Sequence, residues 1–204
     1  MNCFSFILNN RYVHLLKTQP ATMARVVAVC GMPGSGKGEF ANIMAKNGCP
    51  VFSMGDMIRH EVKIRGLEEA PEIFGIIAAE LREKFGDDVL AVRLADRIDS
   101  ELSLNSMVLI EGLRGTAEYE IFKNRWGDDF STVAIVAKPD TRFARIQARG
   151  RSEDGNYEQF LIRETRESGW GLNDLIDTAD YKLSNEGSLQ EFTESCESWL
   201  ASLN

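Results

Sequence analysis

The chain has two histidines, His14 and His60, and four cysteines, Cys3, Cys30, Cys49 and Cys196, none at metal-ligand spacing. That scarcity argues against a zinc site, and scattered thiols fit a reducing, cytoplasmic setting. No apolar run approaches the roughly 20 residues of a membrane helix, so no membrane partner is expected. Positive charge is in deficit. Lys and Arg number 23 against 31 Asp and Glu, for a net charge of -8, which argues against an extended nucleic-acid surface. Internal repeats and low-complexity linkers are also lacking. A chain of 204 residues with 44% hydrophobic and 26% charged content suits one α/β domain with a small insertion.

What is present centres on Gly31-Met32-Pro33-Gly34-Ser35-Gly36-Lys37-Gly38, followed by Glu39. An apolar, β-branched run, Arg25 to Cys30, precedes it and reads as a buried strand. A helix-compatible run, Glu39 to Lys46, follows. Strand, glycine-rich loop and helix form the setting of a phosphate-binding loop, with the spacing GxxxxGK complete. The loop N–H groups and the helix N-terminus suit phosphate oxygens, and Lys37 can place an ammonium between two phosphates. The usual Ser or Thr after the lysine is replaced by Gly38. The plainer alternative is a glycine-rich surface turn.

GxPGxGKG, with glycine after the lysine, resembles the loop of adenylate kinase, which usually carries Thr where this chain has Glu39. The longer string GxPGSGKGE is similar to a family of small archaeal proteins related to adenylate kinase. The resemblance runs from about Met23 to near the C-terminus. It implies ATP and Mg²⁺ as cofactors.

Further motifs follow in the same order. Asn47-Gly48-Cys49-Pro50 ends the first helix, and Val51-Phe52-Ser53 is a short strand. Gly55-Asp56-x-x-Arg59 resembles the monophosphate-binding segment of adenylate kinase, where the arginine holds the acceptor phosphate. Asp56 as a helix cap and Arg59 as a solvated arginine are the alternatives. Helical stretches between the second and third strands, about 56–103, form a small insertion. Met107 to Gly112 is the third strand. Glu111 at its end resembles a Walker B carboxylate that reaches Mg²⁺ through water, although adenylate kinases usually have Asp. Leu113-Arg114 resembles the next arginine motif, with Arg114 a second acceptor-phosphate ligand. The adenine-reading glutamine of that family has no counterpart among Thr116, Ala117, Glu118 and Tyr119.

Thr132 to Ala137 is the fourth strand, and a helix from Thr141 to Ala148 leads into an arginine-rich stretch. Arg142, Arg145, Arg149 and Arg151 fall within ten residues of an acidic chain. Guanidinium forks bind phosphoryl oxygens, so the stretch reads as a phosphate clamp, with a solvated face as the alternative. Arg145-x-x-x-Arg149 resembles the arginines that enter the adenylate kinase lid. The lid here is short, about 149–157. The helix from Tyr157 to about Ser168 returns Arg163 and Arg166 as lid-arginine candidates. Ala179 to Leu189 resembles an adenine-side segment of dephospho-CoA kinases, and Ser188 with Glu191 also forms a capping box.

The expected fold is a doubly wound P-loop domain over 23–204, with five parallel strands in order 2-3-1-4-5 and a peripheral extension over 1–22. The expected activity is phosphoryl transfer from ATP to a small phosphate-bearing acceptor. Lys37 and the loop would hold the donor. Arg59 and Arg114 would hold the acceptor, and Arg145, Arg149 and Arg163 would neutralise the transferred group. The rival readings are an ATPase timed by a protein or RNA partner and a nucleotide-binding module without turnover.

Overall fold

The structure, a computed structural model, describes residues 25–149 and 156–203. The extension over 1–22 and most of the short lid lie outside the described residues. Five strands, β1 (Arg25–Cys30), β2 (Val51–Ser53), β3 (Met107–Glu111), β4 (Phe130–Val136) and β5 (Tyr181–Ser184), form one parallel sheet in the order β2-β3-β1-β4-β5. This is the expected order.

Central β1 is buried from Val26 to Cys30. Successive side chains point to opposite faces of a strand, so its run feeds two cores. Val26, Ala28 and Cys30 join one cluster, which includes buried residues of α2 (Met54–Ile64), α4 (Val89–Leu102) and α8 (Leu172–Asp177). Val27 and Val29 join the other, beneath α1 (Lys37–Lys46) and α9 (Leu189–Ala201). There the Phe40 and Trp199 rings lie 5.4 Å apart. A parallel sheet covered on both faces explains why β1 is continuously apolar rather than alternating.

Three helices separate β2 from β3: α2, α3 (Pro71–Phe85) and α4. Beyond β3 come α5 (Thr116–Trp126), then β4, α6 (Pro139–Arg149) and α7 (Tyr157–Gly169). The sequence pattern does not announce α5 or α8. Only Glu118 and Phe122 are buried on α5, too few to trace a stripe, and α8 spans six residues. α6 begins at Pro139 rather than Thr141, since proline lacks only a donor that the first turn leaves unpaired. Asp56 is not the cap of α2. The cap position falls on Ser53, and Asp56 sits in the first turn bonded to Arg59. The capping box at Ser188 is present, with Glu191 N–H donating to Ser188 Oγ at 3.2 Å and Ser188 N–H to Glu191 at 2.7 Å.

Candidate active site

The loop after β1 is held open by contacts from β4 and from the segment after β5. Gly36 has φ +108, and a Cβ there would stand 2.1 Å from Asn185 Nδ2. That amide instead donates to Ser35 O at 2.8 Å. Asn185 itself is buried. Gly31 comes so close to β4 that a Cβ would lie 2.5 Å from Ile135 O. Only glycine allows both approaches. Gly38 differs: it is exposed and a Cβ would meet nothing within 4 Å, so a hydroxyl side chain is missing there without any steric reason.

Lys37 turns its ammonium away from the cleft that its side chain lines. Its Nζ donates to Gly31 O at 2.5 Å and to Met32 O at 3.2 Å, so the ammonium lies inside the loop. Burial lowers its pKa from 10.5 to about 8; the Glu167 carboxylate opposes that shift, while the Arg114 and Arg163 guanidiniums add to it. The loop carbonyls are the nearest oxygen acceptors to the ammonium, which explains the inward geometry.

A cleft of about 1160 Å³ opens over the loop. It brings together Lys37, Gly38 and Glu39 with Arg59 of α2, Glu111 at the end of β3, Arg114, Arg145 and Arg149 of α6, and Arg163 of α7. Pro33, Gly34 and Gly36 also line it. Gly31 and Ser35 are buried beneath it. Arg59 bonds Asp56 through Nε at 2.9 Å, and both side chains are about half exposed. Arg145 donates to Asn185 O at 2.7 Å, which ties α6 to the residue that braces the loop.

Arg142 is not part of a clamp. It is buried and donates to Ala137 O at 2.9 Å and Pro33 O at 3.2 Å, and it pairs with Glu164. Its guanidinium supports the loop from behind. Arg151 lies outside the described residues.

Two carboxylates of the site carry no signal strong enough to single them out in the sequence. Glu167 is almost wholly buried and accepts from Arg163 Nε at 3.0 Å, with Arg114 at 3.8 Å. Burial alone would raise its pKa, but the Arg114 and Arg163 guanidiniums outweigh that and hold it below the usual range. Its spacing of four from Arg163 is the one local hint. Glu118 is also buried and accepts from the N–H groups of Arg114 at 3.1 Å and Gly115 at 3.3 Å. Burial raises its pKa against those donors and Arg82.

Known proteins resemble this chain in sequence and in fold. The sequence model of the AAA domain matches residues 30–160, from the end of β1 into α7. A UPF0200 protein of Methanosarcina barkeri is 40% identical over 169 residues, which cover 82% of this chain and 90% of that one. The chain belongs to the UPF0200 family. A UPF0200 protein of Hyperthermus butylicus is 43% identical, over 82% of this chain and 88% of its own. A protein of Archaeoglobus fulgidus named UPF0200/UPF0201 is 41% identical over 83% of this chain, and the chain spans about half of its length, 53%. These archaeal relatives agree with the adenylate-kinase-related resemblance. The crystal structure of TT1252 from Thermus thermophilus matches with a TM-score of 0.64 at 20% identity, over 89% of this chain and 98% of that one, and shows the shared fold. The UPF0200 chain is thus a P-loop protein with the nucleotide-binding fold. Among its described residues no helix is long and apolar enough to cross a membrane.

No group of three or more His, Cys, Asp or Glu among the described residues of this UPF0200 chain forms a metal cage. The carboxylates that line the cleft are Glu39, Glu111 and Glu118. Mg²⁺ usually keeps several waters and takes only one or two carboxylates beside substrate phosphates, and a single oxygen donor such as Glu111 fits that manner of binding.

Proposed function

We propose that this UPF0200 protein transfers the γ-phosphoryl group of ATP to a small acceptor that itself bears phosphate. The observation that carries this reading is the junction at Glu167. One buried carboxylate gathers Arg114, from the loop after β3, and Arg163, from α7, beside the lysine of the phosphate loop. In-line phosphoryl transfer needs positioning and charge neutralisation rather than covalent help, and this arrangement supplies both.

In this reading the loop amides and Lys37 hold the donor phosphates, and Lys37 exchanges two carbonyls for phosphate oxygens. Glu111 would hold Mg²⁺ through waters, and the ion would supply charge neutralisation at the donor phosphates. Arg114 and Arg59 hold the acceptor phosphate, the latter by leaving an exposed pair with Asp56 that contributes little. Arg163, Arg145 and Arg149 face the transferred group. Burial of three of the cysteines, Cys30, Cys49 and Cys196, as free thiols supports a reducing, cytoplasmic setting.

A second reading, an ATPase with water as acceptor, is favoured by Glu118. It follows the acceptor arginine where a base-reading side chain would be sought, yet its oxygens are engaged by backbone N–H groups and Arg82. The test is an acceptor screen with ATP and Mg²⁺, an ATP-only control, and product detection by mass spectrometry. Phosphorylated acceptor supports the transfer reading. ADP formed at one rate with every acceptor and with none supports the ATPase.

A further inference from the structure

Two arginines of the cleft have no part in the transfer scheme above: Arg82 on α3 and Arg166 on α7. They converge on one indole. The Arg82 guanidinium carbon lies 5.4 Å from the Trp170 ring centroid and that of Arg166 lies 5.7 Å from it. Both line the cleft along with Arg114. Beside them opens a cavity of about 250 Å³, lined by Arg82, Arg114, Trp170 and the first turn of α5.

Charge balance gives this convergence its meaning. Among the described residues, eight cationic side chains line the cleft against three carboxylates. Glu118 faces Arg82 at 3.6 Å, but it also serves the N–H groups of Arg114 and Gly115. Asp87, the other acid of the small cavity, is exposed. Among the described residues no carboxylate forms an ion pair with Arg166. A guanidinium held over an indole face keeps its in-plane donors for other partners. Arg166 accordingly presents its fork, and Arg82 adds, besides Glu118, only a long contact from Nη1 to Ala78 O at 3.5 Å. Two such groups beside a third arginine suit phosphoryl oxygens, which accept the planar fork bidentately.

We propose that Arg82, Arg166 and Trp170 form a second anion subsite next to Arg114, and that the ligand of the acceptor side carries two phosphate groups. One phosphate is held by Arg114 and Arg59, the other by Arg82 and Arg166. The name acceptor rests on the transfer reading; the subsite itself does not.

The test is equilibrium binding to the full chain by titration calorimetry, with the phosphate loop saturated by a non-hydrolysable ATP analogue and Mg²⁺. The probes are a nucleoside 5′-monophosphate, the matching 5′-diphosphate and the matching 3′,5′-bisphosphate, for each common base. At least one doubly phosphorylated probe is expected to bind about tenfold or more tighter than its monophosphate, or about 1.4 kcal/mol. Which one does so tells whether the phosphates are adjacent or separated by the sugar. Arg166→Ala and Arg82→Ala are each expected to shrink that ratio to about threefold or less. Arg166 is exposed, so its variant leaves the core intact and keeps the test valid if Arg82→Ala folds poorly. Equal affinity for singly and doubly phosphorylated probes, or a ratio unchanged in Arg166→Ala, overturns the subsite. A preserved ratio in a protein that phosphorylates nothing in the acceptor screen leaves the subsite standing and removes the transfer reading.

Discussion

Arg163 donates through Nε to the almost wholly buried carboxylate of Glu167 at 3.0 Å. That bond connects α7, the helix that follows the short lid segment, to Arg114 in the loop after β3, 3.8 Å from the same oxygen. Glu167→Gln keeps an acceptor for Arg163 and removes the charge that holds Arg114. Turnover is expected to fall about tenfold or more, with a smaller change in ATP affinity. Glu167→Ala leaves two guanidiniums without their buried partner and is expected to destabilise by about 3 kcal/mol. Denaturant melts and steady-state kinetics on both variants check this.

The same carboxylate predicts a direction for acid sensitivity. Its pKa is held below the ordinary value in the folded protein. Its contribution to stability is therefore complete above the unfolded-state pKa and is lost as pH falls through the lower folded value. Stability measured from neutral pH downward is expected to drop through the acidic range, and less so in Glu167→Gln.

Lys37 gives the opposite edge of the pH profile. Its pKa of about 8 means that the free protein loses the ammonium well below the usual lysine range. ATP affinity and kcat/KM, which report the free enzyme, are expected to decline above about pH 8. In the unliganded protein the sign for stability is the reverse. The unfolded chain binds the extra proton between about 8 and 10.5, so this group's contribution rises with pH across that window. Calorimetric titrations with ATP from neutral pH to about 9.5, together with melts, check both. Lys37→Ala is expected to abolish tight nucleotide binding while the sheet stays folded.

Two glycines of the loop make contrasting predictions. Gly36→Ala places a Cβ 2.1 Å from Asn185 Nδ2 in a backbone with φ +108, and is expected to destabilise by about 1–3 kcal/mol and to impair nucleotide binding. Gly38→Ser enters open space, is expected to change stability by less than about 0.5 kcal/mol, and supplies a hydroxyl that tightens Mg²⁺-nucleotide binding. Melts and titrations on the pair test the assigned geometry.

The contrast between local and distant partners explains what the sequence reveals. The phosphate loop was legible because strand, glycines, lysine and helix are contiguous, and each carries its own local requirement. The strand order followed from a family resemblance with five recognisable strands. Arg142 and Arg145 look alike in sequence, three apart on one helix. Only the approach of Pro33 and Glu164 to the first, and of Asn185 to the second, separates a buried brace from a cleft residue. Asn185 and Glu167 act on residues distant in the chain, and no periodicity marks them. Lys37 turned inward because its nearest oxygen acceptors are its own loop carbonyls, which a motif does not display.

The most direct measurement compares Arg59→Ala, Arg114→Ala and Arg149→Ala in steady-state ATP turnover, with and without the best acceptor from the screen. Arg59 and Arg114 come from separate elements and face the same cleft. The account predicts that their loss weakens acceptor-dependent turnover by about 2 kcal/mol or more in transition-state binding, and leaves ATP affinity and the slow acceptor-free rate nearly unchanged. Arg149→Ala lowers turnover with any acceptor, water included. Equal losses of acceptor-free hydrolysis in the Arg59 and Arg149 variants would contradict the acceptor role and establish water as the acceptor.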